Sequence, residues 1–160
     1  VEPTFCSVFT NRIDAKGRVS VPAPYRALLE GQMFAGKVFS GICAVPSFKY
    51  AMIEGSGTIR AKLVSEQLAT LPEFSDECDE IQEFFSELTM IPFDGEGRII
   101  LTDTMREHAN LTDTAVFAGA GNVFQMWEPR AYEAYRETMR ARRREKGTVF
   151  QPRITVKGAV

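Results

Sequence analysis

The stretch IDAKGRVSVPAPYRALL, Ile13 to Leu29, returns later in the chain as FDGEGRIILTDTMREHA, Phe93 to Ala109. Asp14 aligns with Asp94, Gly17 with Gly97, Arg18 with Arg98 and Arg26 with Arg106, while apolar Val19, Val21 and Tyr25 match Ile99, Leu101 and Met105. An internal repeat outranks every other pattern, because overlooking it misreads the whole fold. Two copies are too few for a solenoid. Further on, KVFSGICAVPSF resembles AVFAGAGNVFQMWEP, with an offset of about three residues needed to pair Pro46 with Pro129.

Both copies read alike. An extended segment (Thr4 to Ile13; Met90 to Phe93) meets a tight turn at D-x-x-G. A short strand (Arg18 to Val21; Arg98 to Leu101), a helical turn (Ala23 to Leu29; Asp103 to Ala109) and a further pair of strands follow. Gly17 and Gly97 suit the left-handed position that closes a hairpin loop, and each aspartate can accept hydrogen bonds from the turn backbone. Pro22 ends the first strand, and Asp103 is the expected N-cap of the second helical turn.

Between the copies the sequence predicts helix. Pro46 to Leu71 reads as helical, interrupted by EGSG at Glu54 to Gly57. SDECDEIQEFFSEL places Ile81, Phe84, Phe85 and Leu88 on one face of a helix with an acidic first turn. Another helix starts at Pro129, turns Tyr132, Tyr135 and Met139 to one side, and ends in a basic run that Gly147 stops. Thr148 to Val160 reads as a tail.

Composition agrees with a globular protein: of 160 residues, 44% are hydrophobic and 25% charged. No apolar run is long enough to span a membrane, and no secretory signal is read at the start. The formal charge of −2 conceals an uneven distribution: residues 1–60 balance at +3, 61–90 at −7, 91–130 at −3 and 131–160 at +5. The first segment and the C-terminal stretch are therefore candidates for a phosphate-facing surface. Cys6, Cys43 and Cys78 are widely spaced, suit a reducing cytoplasm and read as buried or half-buried side chains.

Catalysis finds little support. Two lobes could each offer an aspartate to an acid dyad, but an arginine four residues beyond each acid favours permanent ionisation over proton sharing. His108, the only histidine, reads as a surface or capping residue. There is no nucleophile elbow and no metal-ligand spacing, and no cofactor or metal is expected. GAGN at Gly119 to Asn122 lacks the third glycine of a dinucleotide fingerprint and reads as a hairpin turn.

Two readings of the repeated turn stay open on residues alone. Asp14 and Arg18 could simply clasp their own loop, as could Asp94 and Arg98. Alternatively Arg12, Lys16, Arg18 and Arg26 project around the first loop, with Asp14 orienting Arg18 so that its fork meets guanine edges or phosphate oxygens. The second loop has Glu96 where the first has lysine.

DAKGRVSVPAPYR, DGEGRIILTDTMREHA and the following VFQMWEP resemble the MraZ family of bacterial transcriptional regulators, from about Phe5 to about Tyr135. The resemblance implies an α+β fold: two pseudo-symmetric AbrB-like (SpoVT/AbrB-type, swapped-hairpin) half-barrels form one small β-barrel flanked by helices. It divides the chain into a first repeat (5–50), a helical connector (51–89), a second repeat (90–133) and a basic helix end and tail (134–160). It places DNA contacts on Asp14, Lys16, Gly17 and Arg18, and in the second motif on Asp94, Gly97 and Arg98; Arg12 joins them on the residue reading. The implied activity is regulation, usually repression, of the division and cell-wall gene cluster. It would be exerted by a cytoplasmic, nucleoid-associated homo-oligomeric ring on direct repeats in double-stranded promoter DNA. The alternative is an antitoxin-like or scaffold protein that binds a protein partner. Thr102 in place of Pro22 and Glu96 in place of Lys16 set the second motif apart.

Overall fold

The computed structural model describes residues 3–147 and Phe150. In chain order its strands are β1 (Val8–Arg12), β2 (Arg18–Ser20), β3 (Gln32–Phe34), β4 (Lys37–Phe39), β5 (Gly41–Pro46), β6 (Ile53–Ser56), β7 (Thr89–Pro92), β8 (Arg98–Ile100), β9 (Thr114–Gly119) and β10 (Phe124–Trp127). The helices are α1 (Ala23–Leu29), α2 (Thr58–Ala69), α3 (Asp76–Glu87), α4 (Asp103–His108) and α5 (Pro129–Lys146). The fold is α+β. Six strands form one antiparallel sheet in the order β1-β9-β10-β6-β5-β7, beside the ribbons β2-β8 and β3-β4. Exchanging each strand for its counterpart in the other copy (β1 with β7, β5 with β9, β6 with β10) reverses this order. Among the described residues the ladders do not close into a barrel; the main sheet ends at β1 and β7.

The apolar positions shared by the two copies are the centre of the core. Val19, Val21 and Tyr25 and their counterparts Ile99, Leu101 and Met105 are all buried in one cluster. Tyr25 is its hub. Its ring meets Phe5 and Phe9 edge-on at 5.3 and 5.5 Å, and lies 5.2 Å from Phe124. Its hydroxyl donates to the Ser7 carbonyl at 2.7 Å, as a buried phenol requires. Burial of the ring, aided by Cys6 and Tyr132, pushes the phenol up to about 12, so it stays protonated as a donor. A second cluster, around Met52, Val116, Trp127 and Tyr132, seats α5, with Tyr135 stacked on Trp127 at 4.7 Å.

Several expectations change. Of the helix predicted over Pro46 to Leu71 only the part after EGSG forms, as α2: β5 ends at Pro46, and EGSG lies mostly in β6. Gly55 is there for close approach. A Cβ on it would lie 2.3 Å from the Phe124 ring, which sits against the bare backbone of the neighbouring strand. The region 51–89 therefore supplies a sheet strand before it becomes the connector of α2 and α3. The pairing of Pro46 with Pro129 also fails, since Pro46 closes a strand and Pro129 opens α5. By position in the sheet β9 corresponds to β5, and the β3-β4 hairpin is an insertion peculiar to the first copy. Finally, Thr102, not Asp103, caps α4: its hydroxyl accepts from Met105 N at 3.2 Å. Pro22 takes the same place before α1, with only its carbonyl accepting from Tyr25 N and Arg26 N.

Other expectations stand. Ser75 caps the acidic α3, whose Ile81, Phe84, Phe85 and Leu88 are half-buried. Gly147 ends α5 at φ +57°. The GAGN segment turns the β9-β10 hairpin. The tail proposed for Thr148 to Val160 lies outside the described residues apart from Phe150. Among the described residues no helix is long and apolar enough to cross a membrane.

Gly55→Ala should lower unfolding stability by about 1–3 kcal/mol through overpacking against Phe124. A denaturant melt checks this, with the midpoint falling at unchanged slope.

Candidate nucleic-acid interface

The two D-x-x-x-R loops are built by the same set of bonds. In the first, Asp14 N donates to Arg18 O at 2.9 Å and Gly17 N to Asp14 O at 3.0 Å. One carboxylate oxygen of Asp14, Oδ1, accepts from Lys16 N and Arg18 N, both at 2.9 Å; the other, Oδ2, accepts from Arg18 Nε at 2.6 Å. In the second, Asp94 N donates to Arg98 O at 2.9 Å and Gly97 N to Asp94 O at 3.1 Å. Asp94 Oδ1 accepts from Glu96 N and Arg98 N at 2.9 and 3.0 Å, and Oδ2 from Arg98 Nε at 2.8 Å. Gly17 and Gly97 sit at φ +79° and +74°, a conformation glycine reaches without a steric penalty.

Each carboxylate is thus held by three donors that favour its charged form. Asp14 lies below the usual 3.8, led by the backbone bond from Arg18 and partly opposed by desolvation; Asp94 lies below it through the backbone bond from Arg98, likewise opposed. Arg98 in turn is raised, chiefly by its bond to Asp94. Two acids each committed to a separate arginine do not share a proton, so the geometry opposes an acid dyad.

The arginines differ in what they leave free. Arg18 spends Nε on Asp14, and its two terminal nitrogens have no carboxylate partner among the described residues. Arg98 spends Nε on Asp94 and also holds Glu96, with Nη1 3.5 Å from the carboxylate. Around the first loop Arg12 and Lys16 are exposed and Arg18 half-exposed. The first loop therefore presents three cations with one acid, and the second an arginine with two acids.

The loops are interlocked. Strands β2 and β8 pair antiparallel, Arg18 opposite Ile100 and Ser20 opposite Arg98. Beyond the ribbon Leu101 N donates to Gly17 O at 2.9 Å, and Val21 N to Gly97 O at 3.3 Å. The structure moves one expected cation: Arg26 lies over Gly97 of the second loop, not beside the first, and Arg106 lies near Gly17. Alignment paired the two arginines but did not reveal the crossing, which depends on the pairing of β2 with β8.

The remaining candidates are structural. His108 is half-buried at the end of α4, with Nε2 3.2 Å from Tyr50 O. Cys43 and Cys78 are buried, and burial pushes the Cys43 thiol up to about 11; Cys6 is exposed, against expectation. Among the described residues no group of three His, Cys, Asp or Glu side chains could hold a metal ion.

Comparison with known proteins matches these features to one class. The family model described as "MraZ protein, putative antitoxin-like" matches residues 84–149. The chain is 42% identical over 142 residues to the transcriptional regulator MraZ of Gluconacetobacter diazotrophicus, covering 88% of this chain and 89% of that protein. It is 38% identical to the transcriptional regulator MraZ of Rickettsia rickettsii over 82% of this chain and 85% of that one, and 35% identical to that of Rickettsia canadensis over 97% of both. The chain belongs to the MraZ family.

The lowered aspartates set a pH dependence. A carboxylate with a depressed folded-state pKa stabilises the loop above the ordinary value, and that contribution disappears as pH falls through the depressed one. Amide exchange at Lys16, Arg18, Glu96 and Arg98 should therefore stay slow from neutral pH down to the ordinary carboxylate range. The protection should be lost only on further acidification.

Proposed function

We propose that the chain is a sequence-specific DNA-binding transcriptional regulator, acting as a repressor, whose D-x-x-x-R loops contact promoter DNA. The observation that carries this reading is the first loop: Asp14 fixes Arg18 through Nε alone, leaving the terminal fork free beside Lys16 and Arg12. A guanidinium so oriented suits bidentate contact with guanine or phosphate. Lys16 and Arg12 supply charge for neighbouring phosphates. The names of its relatives support the regulatory role. Asp94, Gly97 and Arg98 form a weaker second contact, because Glu96 draws on the arginine.

The fold reading belongs here too. The reversal of strand order on exchange and the mixed β2-β8 ribbon support two AbrB-like half-barrels packed as a pseudo-symmetric pair within one chain. One loop carries few cations, so several copies presenting it at fixed spacing would bind direct repeats far more tightly than one. A homo-oligomeric ring, at the nucleoid, on repeats upstream of the division and cell-wall gene cluster is the assembly this mechanism calls for. The family model's antitoxin-like wording favours a second reading, a protein partner; stoichiometric capture of one protein and no promoter DNA would support that reading instead.

A gel shift with the DNA upstream of the chain's own gene tests the proposal. Arg18→Ala should cut affinity by at least tenfold and reduce the slope of log affinity against log salt by about one, with an unchanged thermal melt. Unaltered affinity would sink the assignment. Glu96→Lys should act in the opposite direction, tightening binding and steepening the salt dependence.

A further inference from the structure

Each loop is covered by an arginine from the other copy. At Gly97 the Arg26 side chain lies so close that a Cβ would stand 2.6 Å from its Cδ, 2.8 Å from Nε and 2.9 Å from Cζ. At Gly17 the same notional atom would stand 3.3 Å from Leu101 O and 3.5 and 3.6 Å from Cζ and Nη1 of Arg106, an ordinary contact with the guanidinium. The bare α-carbon of Gly97 that permits the left-handed turn thus also receives Arg26, while Arg106 rests in contact range of Gly17. Both arginines are anchored within their own copy. Arg26 Nη1 donates to Val21 O at 3.0 Å, and Arg106 Nη2 to Asp103 Oδ1 at 2.7 Å.

Their surroundings argue against direct DNA contact. Arg26 shares a groove of about 560 Å³ with Glu30, Asp94 and Glu96, which would repel a phosphate. Arg106 is paired with Asp103 and flanked by Glu107, and its Nε is buried without an acceptor among the described residues. We propose that Arg106 is the positioning residue of the first loop and Arg26 that of the second, so that each copy sets the tip of the other copy's loop. The affinity consequence rests on the DNA-binding reading; the structural crossing does not.

The test uses the full chain and two readouts. In ¹⁵N-resolved spectra with amide exchange, Arg106→Ala should shift and deprotect Gly17 and Arg18 while leaving Gly97 and Arg98 in place. Arg26→Ala should give the reverse pattern. Perturbation confined to the loop of the mutated copy, or to neither loop, overturns the proposal whether or not DNA binds. Arg106→Lys keeps the stem and the charge and should move Gly17 less than alanine does; it carries the same comparison if the alanine variant does not fold. In titrations with the upstream DNA, Arg106→Ala should weaken binding about tenfold with the wild-type salt slope, because no phosphate contact is removed. A slope smaller by about one would make Arg106 a contact residue and overturn its positioning role. Arg26→Ala should weaken binding less, its loop being the less cationic. Failure of the wild type to bind DNA would remove the proposed function, while the crossed pattern of amide shifts would still decide the positioning.

Discussion

The bond network of one carboxylate underlies both loops. An aspartate that accepts two backbone amides and an arginine Nε fixes the chain reversal, the left-handed glycine and the direction of the arginine together. The strand that leaves each loop then enters the β2-β8 ladder. Its register aligns Val19 with Ile99 in the β2-β8 ribbon and sends both side chains into the core. A surface ion pair alone is worth about 0–1 kcal/mol. Here the pair matters because the same oxygens terminate a turn, and the turn delivers core residues from two places in the sequence to one ladder.

Much of this was legible in the residues because the repeat states it twice. Asp, Gly and Arg at fixed spacing, followed by alternating apolar positions, announced the turn and the buried stripe, and all six matched apolar residues are buried. What remained hidden was decided by partners distant in sequence. Gly55 looks like a helix breaker until Phe124 is known to lie on it. The β3-β4 hairpin was hidden by an accidental likeness between KVFSG and AVFAG. Asp103 looked like a cap, yet Thr102 holds that position and Asp103 is drawn to Arg106. For the candidate site, the individual residues could be read, but which arginine covers which loop could not. That depends on the pairing of β2 with β8, strands far apart in sequence.

Charge is segregated along the chain for distinguishable reasons. Half the acids of α3 stand at its first turn, where Asp76, Glu77 and Asp79 meet the unpaired amides and the positive end of the helix dipole. Arg143, Arg144 and Lys146 stand in the last turn of α5 for the complementary reason. Neither cluster needs a ligand to explain it. The cations of the first loop have no such local account: Arg12 and Lys16 stand exposed at the end of a strand and on a turn, beside an arginine already steered by its aspartate.

The mixed ribbon also bears on how the two loops came to differ. In a symmetric pair of separate chains every substitution appears twice, so losing a lysine from one tip would strip it from both. Joining the copies through α2 and α3 breaks that obligation while keeping the shared ladder intact. Lys16 and Glu96 stand at matching places, each amide bonded to its loop's aspartate, a difference that one chain permits and two identical chains would not.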